Sequence, residues 1–153
     1  MGLAYDLVRY HRIGSPTDRE RVEGDRPLEC ALCHADRSVQ SLVTTMERWW
    51  KKSYNRSALH ELYGPDLSVN ALDATLRRGK PHEKAAAIGA IKQLKLAAHA
   101  PLLVEELDNE YPLVRFFAKS ALERLLGPAP AIDWHAPGPV LVERGRRWLE
   151  QPR

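Results

Sequence analysis

Cys30, Ala31, Leu32, Cys33 and His34 stand in a row, and Cys30 and Cys33 are the only two cysteines of the 153-residue chain. Thiols at positions i and i+3 lie on one side of a helical turn, so both can add to the two vinyl groups along one edge of a porphyrin. The imidazole that follows then lies close to the iron as its proximal axial ligand. Cys-x-x-Cys-His is accordingly the attachment signature of haem c, with Cys30 and Cys33 as thioether donors and His34 as iron ligand. Other chemistries suit these residues less well. A structural zinc ion wants four ligands in tetrahedral array, and Cys33 and His34 are awkward adjacent ligands. A thioredoxin-type redox pair wants a βαβ setting, and the chain has no convincing strand pattern. An idle or disulfide-bonded pair is the bland alternative.

The sixth coordination position of such a haem decides its behaviour: a second histidine favours electron transfer at low potential, methionine raises the potential, and an open site allows ligand chemistry. The chain has six histidines. His11, in Tyr10-His11-Arg12-Ile13, precedes Cys30 by a turn-rich connection that would let it fold back over the haem; its alternative is a surface histidine. His60, His82, His99 and His135 have ordinary solvent-facing or loop readings. Met46 follows His34 by only twelve residues, so core packing suits it better than ligation.

The elements that position the motif read as helices. Residues 1–52 hold the attachment segment and a following helix, capped by Asp36 or Ser38. Val39, Leu42, Val43, Met46, Trp49 and Trp50 recur at helical spacing as a wide apolar stripe. Residues 53–66 form a connector with a short helix from Ser57 to Leu62, ended by Tyr63-Gly64-Pro65, after which Asp66 or Ser68 caps the next element. Residues 67–127 hold an internal repeat. Setting Pro81 on Pro112, an offset of 31 (112 − 81), brings Leu72 onto Leu103, Leu76 onto Leu107, Ala87 onto Ala118, Ala90 onto Ala121, Ile91 onto Leu122 and Leu94 onto Leu125. Each unit is a helix, a short turn and a second helix opened by proline, a pattern of stacked helix pairs. Residues 128–153 are a Pro-rich linker, pinned by Ile132 and Trp134, and a final amphipathic helix that caps the stack.

The stretch Tyr111–Leu122 resembles the compact HEAT-like repeat of phycobilisome-lyase-type proteins. The segment Asp25–Glu29, the Cys30–His34 motif and the helix pairs together resemble the C-terminal part of exported bacterial multihaem c-type cytochromes that carry helical repeats. That resemblance implies a distal histidine from a His-Arg-Ile segment upstream of the motif, which Tyr10-His11-Arg12-Ile13 matches, making His11 the implied second ligand of this haem or a neighbouring one. It also implies further haem motifs, whereas this chain has one.

Composition bounds the rest. Hydrophobic residues at 44% and charged residues at 28% fit a globular protein that buries about two-thirds of its unfolded surface. A net charge of +3 and a pI near 9.0 suit docking to an acidic redox partner and otherwise read as a solvated basic surface, without a nucleic-acid signature. No apolar run reaches a membrane span. The N-terminal residues carry no export leader, and two repeats are fewer than the three or so that bury a continuous core. Both features are expected of a piece of a longer periplasmic protein. The expectation is an all-α chain in which a haem c segment precedes a short HEAT-like α-solenoid of two helix pairs and a capping helix. Its function would be electron transfer to redox proteins or to other haem domains. Catalysis is not expected, since no nucleophile motif, phosphate loop or carboxylate cluster stands out. A haem-free interaction scaffold and a haem subunit of a periplasmic oxidoreductase are the rivals, separable by absorbance.

Overall fold

The computed structural model describes residues 15–130 and 132–151; His11 lies outside them. Among the described residues the chain is all-helical, its only β feature being an isolated antiparallel bridge between Ser38 and Asn70. No described helix is long and apolar enough to cross a membrane. The chain divides into two compact units, Met1–Ala86 and Ala87–Arg153.

In the first unit, α1 (Arg19–Gly24) fills a stretch that reads in sequence as charged and turn-rich with a possible cap, and its Val22 is buried. A 3-10 turn (Glu29–Leu32) carries the start of the cysteine motif. The next helix, α2 (Val39–Trp50), is capped by Ser38, whose Oγ accepts the Ser41 N–H at 3.1 Å. Val39, Leu42, Val43 and Met46 are buried as the helical spacing requires. The stripe runs out there: Trp49 and Trp50 are exposed, because the last turn extends past the core that the first two turns cover. Lys51 then adopts a left-handed conformation (φ 52°) and ends the helix.

Asn55 caps α3 (Arg56–Tyr63), its Oδ1 accepting the Ser57 N–H at 2.9 Å. Neither Asp66 nor Ser68 caps α4 (Ala71–Arg78); Asn70 does, with Oδ1 accepting from the Leu72 and Asp73 amides at 2.9 and 3.2 Å. Asp66 instead closes a local turn by accepting the Ser68 N–H at 2.8 Å. Its distance in sequence from the first helical residue is too great for a cap, which must reach the amides two and three residues on.

The repeat appears in the element order. Pro81 opens α5 (Pro81–Leu94) and Pro112 opens α7 (Pro112–Leu126), each at the first helical position. The counterpart of α4 is α6 (Ala100–Glu105), prolonged by a 3-10 turn (Glu106–Asp108). Leu72 with Leu103, Leu76 with Leu107, Ala87 with Ala118, Ala90 with Ala121 and Ile91 with Leu122 are all buried. Leu94 is 42% exposed and Leu125 half-buried, so this last matched pair sits at the rim.

In the second unit, α6 and the turn after it pack against α7 and against α8 (Gly138–Leu149). Gly145 of α8 permits the approach, since a Cβ there would stand 2.9 Å from Val104 Cγ1 and 3.1 Å from Leu107 Cδ1. The first is closer than real Cβ atoms come to a neighbour, and the second is tighter than most contacts in a packed interior. Leu141, Val142 and Trp148 fill the face beside it, so the last helix covers the second repeat's first helix. Ile132 and Trp134 are half-buried, and Lys119 Nζ lies 4.6 Å from the centre of the Trp134 ring.

Candidate functional site

The cysteine motif starts in a 3-10 turn and closes with an α-type bond. Ala31 N–H donates to Leu28 O at 2.8 Å, and His34 N–H donates to Cys30 O at 2.8 Å. Cys33 follows as the helical cap of the turn, three residues past Cys30, which puts the two residues on the same side. Both cysteines are free thiols. The inner side of the turn is buried through Leu28, Ala31 and Ala35, leaving Cys30 half-buried and Cys33 and His34 exposed.

Each flank of the turn is fixed by polar contacts to the α3–α5 region. Upstream, Arg26 donates from its backbone N–H to Glu83 Oε1 at 3.1 Å and from Nε to Glu83 Oε2 at 3.1 Å. Its Nη1 reaches the Leu62 carbonyl at 2.6 Å. Glu83 is 1% exposed and also accepts the Lys80 amide at 2.5 Å, half of a capping box at the head of α5. The Tyr63 hydroxyl donates to Asp25 O at 3.4 Å, and burial pushes its phenol far above the ordinary range. Glu29 at the head of the turn pairs with Arg21.

Downstream, Asn70 Nδ2 donates to Ala35 O at 2.7 Å while its Oδ1 caps α4. Val39 N–H bonds Val69 O at 3.1 Å, Gln40 N–H bonds Leu67 O at 2.8 Å, and Ala71 N–H bonds Arg37 O at 3.2 Å. Asn70 thus satisfies one helix end and one loop carbonyl with a single amide. Asn70→Ala is expected to cost about 2–4 kcal/mol, a lost cap plus a stranded carbonyl. Urea unfolding monitored by circular dichroism measures it; a loss below a few tenths would show that this junction carries no strain-free anchoring role.

The two thiols differ. Burial pushes the Cys30 thiol up, and the charge of Cys33 adds to the shift. Less Cys30 is therefore thiolate at any given pH, and thiolate is the reactive form. Iodoacetamide at neutral pH is expected to alkylate exposed Cys33 well before Cys30, with the difference narrowing as pH rises past the ordinary thiol value. Peptide mapping by mass spectrometry reads the order; equal rates at neutral pH would contradict it.

The remaining sequence candidates fall outside this turn. Met46 is 1% exposed inside the first unit's core. His60 Nδ1 lies 3.1 Å from Gly64 O, His82 and His135 are exposed, and His99 is half-buried. Among the described residues no three His, Cys, Asp or Glu side chains converge as a metal-ion cluster. Sequence reading missed the positioning residues. Asn70 carried a signal, since Asn before Ala71-Leu72-Asp73 is a cap pattern. Glu83, two residues after Pro81, carried a weaker one, and nothing local pairs it with Arg26, 57 residues away.

Taken by class, this is an all-helical chain that presents a rigidly flanked Cys-x-x-Cys-His turn at its surface. Comparisons with protein-family models, curated proteins and solved structures find no match to it.

Proposed function

We propose that Cys30 and Cys33 hold a haem c by thioether bonds, that His34 is its proximal iron ligand, and that the chain serves in electron transfer. The observation that carries this reading is the turn itself: two free thiols three residues apart on one turn, with an exposed imidazole next in sequence. The donor set fits the group, because a porphyrin edge needs two accessible sulfurs on one side and a histidine beside them. Bound haem supplies one-electron chemistry at its iron.

The chain's own residues would do the rest. Arg26, Glu83 and Tyr63 fix the approach to Cys30, and Asn70 fixes the exit from His34, so the three donors are presented with little conformational freedom to lose. His11 is the candidate for the sixth ligand, on the sequence resemblance alone. Attachment of this kind requires export to a haem-maturing compartment, and redox proteins or further haem domains are the partners it calls for.

The test is expression in an exporting, haem-maturing host, followed by acid-acetone extraction and a pyridine haemochrome spectrum. The expected result is a Soret band that stays with the polypeptide through extraction. Colourless, correctly exported protein would overturn the reading and leave a helical interaction scaffold. Spectral shifts on adding carbon monoxide or cyanide would instead favour the oxidoreductase subunit with an open iron.

A further inference from the structure

The end of α2 carries the chain's densest mixture of aromatic and basic residues: Arg48-Trp49-Trp50-Lys51-Lys52, five residues without an acid. Trp49 is 64% exposed and Trp50 49%. Their ring centres lie 5.7 Å apart with planes inclined by 57°, so the two indoles diverge and form a ridge rather than a flat stacking platform. Arg48 and Lys51 are exposed around them. Two tryptophans left in water side by side sacrifice apolar burial that a chain of this size would otherwise use, which marks a contact surface.

The tip is held firmly. Lys51 turns the chain through a left-handed residue (φ 52°). Lys52 Nζ then donates to Thr17 O at 2.9 Å and Thr17 Oγ1 at 3.0 Å, and Arg19 Nη2 reaches Ser53 O at 3.2 Å. Tyr54, 6% exposed, donates its hydroxyl to Thr17 O at 2.8 Å. The ridge is therefore presented on a fixed base, and little ordering is needed when it makes contact.

We infer that this ridge docks the protein on an anionic lipid surface. Three physical features select lipid. Tryptophan has an apolar body and an N–H, and settles at the depth of the headgroups. Flanking lysine and arginine stems can lie along the apolar layer while their charges reach lipid phosphates. A divergent ridge needs either a matching concave groove or a deformable medium, and lysine is depleted in protein–protein contacts but enriched on elements that lie in membrane interfaces. The inference does not rest on haem attachment, so the two can fail separately.

The test uses the full chain with vesicles of phosphatidylcholine alone and of phosphatidylcholine mixed with phosphatidylglycerol. At low salt the protein is expected to sediment with the phosphatidylglycerol vesicles, to release on adding salt, and to show a blue shift of tryptophan emission on binding. Trp49→Ser with Trp50→Ser should lower partitioning by about tenfold or more, and Lys51→Glu by about fivefold or more, without altering the thermal melt. No binding to anionic vesicles would overturn the inference, as would binding undiminished in the double tryptophan variant. Retention on immobilised polyglutamate without vesicle binding would also overturn it and assign the ridge to an acidic protein.

Discussion

Glu83→Ala is expected to remove about 3–5 kcal/mol of stability, because it leaves the Arg26 guanidinium buried without its counter-charge. The carboxylate is 1% exposed, and the Arg26 side chain 9%. Glu83 receives three donors: the Arg26 backbone amide, Arg26 Nε and the Lys80 amide. For a chain of this length the melting temperature should fall by on the order of 10 °C. The internal repeat supplies a control. An offset of 31 sets Val114 at the position of Glu83, and both are 1% exposed, so the scaffold accepts an apolar side chain there. Arg26→Met with Glu83→Val should recover the part of the loss due to the unpaired guanidinium, leaving the Leu62 carbonyl and the Arg26 and Lys80 amides to find other partners. Thermal melts of the two variants decide the matter. A single variant that melts with the parent, or a double variant no better than the single, would refute this account of the pair.

Cys30→Ala combined with Cys33→Ala is expected to abolish covalent haem, the largest change in any measured property proposed for this chain. Each single variant should retain one thioether, with Cys33→Ala the more damaging because its sulfur is the exposed one, while burial raises the Cys30 thiol. His34→Ala should leave both sulfurs in place but deprive the iron of its proximal ligand, giving attached haem with an altered ligand-field spectrum. Haem stain on denaturing gels measures attachment, and visible spectra of the folded protein measure ligation. If the double cysteine variant still stains, the covalent link lies elsewhere and the proposal fails. Circular dichroism of each variant separates lost chemistry from lost fold.

Much of the scaffold was legible because its signals are local. The helical spacing of Val39, Leu42, Val43 and Met46 predicts a buried stripe, and that stripe is buried. Proline at the first position of both α5 and α7, with five matched buried positions, makes the repeat readable from one offset. The same logic failed where local spacing outruns the packing surface. Trp49 and Trp50 continue the stripe in sequence but stand in solvent, since periodicity says which side of a helix is apolar and not how far its partner extends. The division of the chain within α5, between Ala86 and Ala87, has no marker in composition either.

By itself the sequence determined the chemistry on offer and the helical class: thiols and an imidazole at fixed spacing, and apolar residues at helical period. Those depend on covalent order and on hydrogen bonds spanning a few residues. The tertiary structure alone decided how the motif is held. Arg26 meets Glu83 across 57 positions, Asn70 meets Ala35 across 35, and Tyr63 meets Asp25 across 38. Such contacts require burial that removes competing water, and burial is set by the packing of the helices together rather than by any one segment.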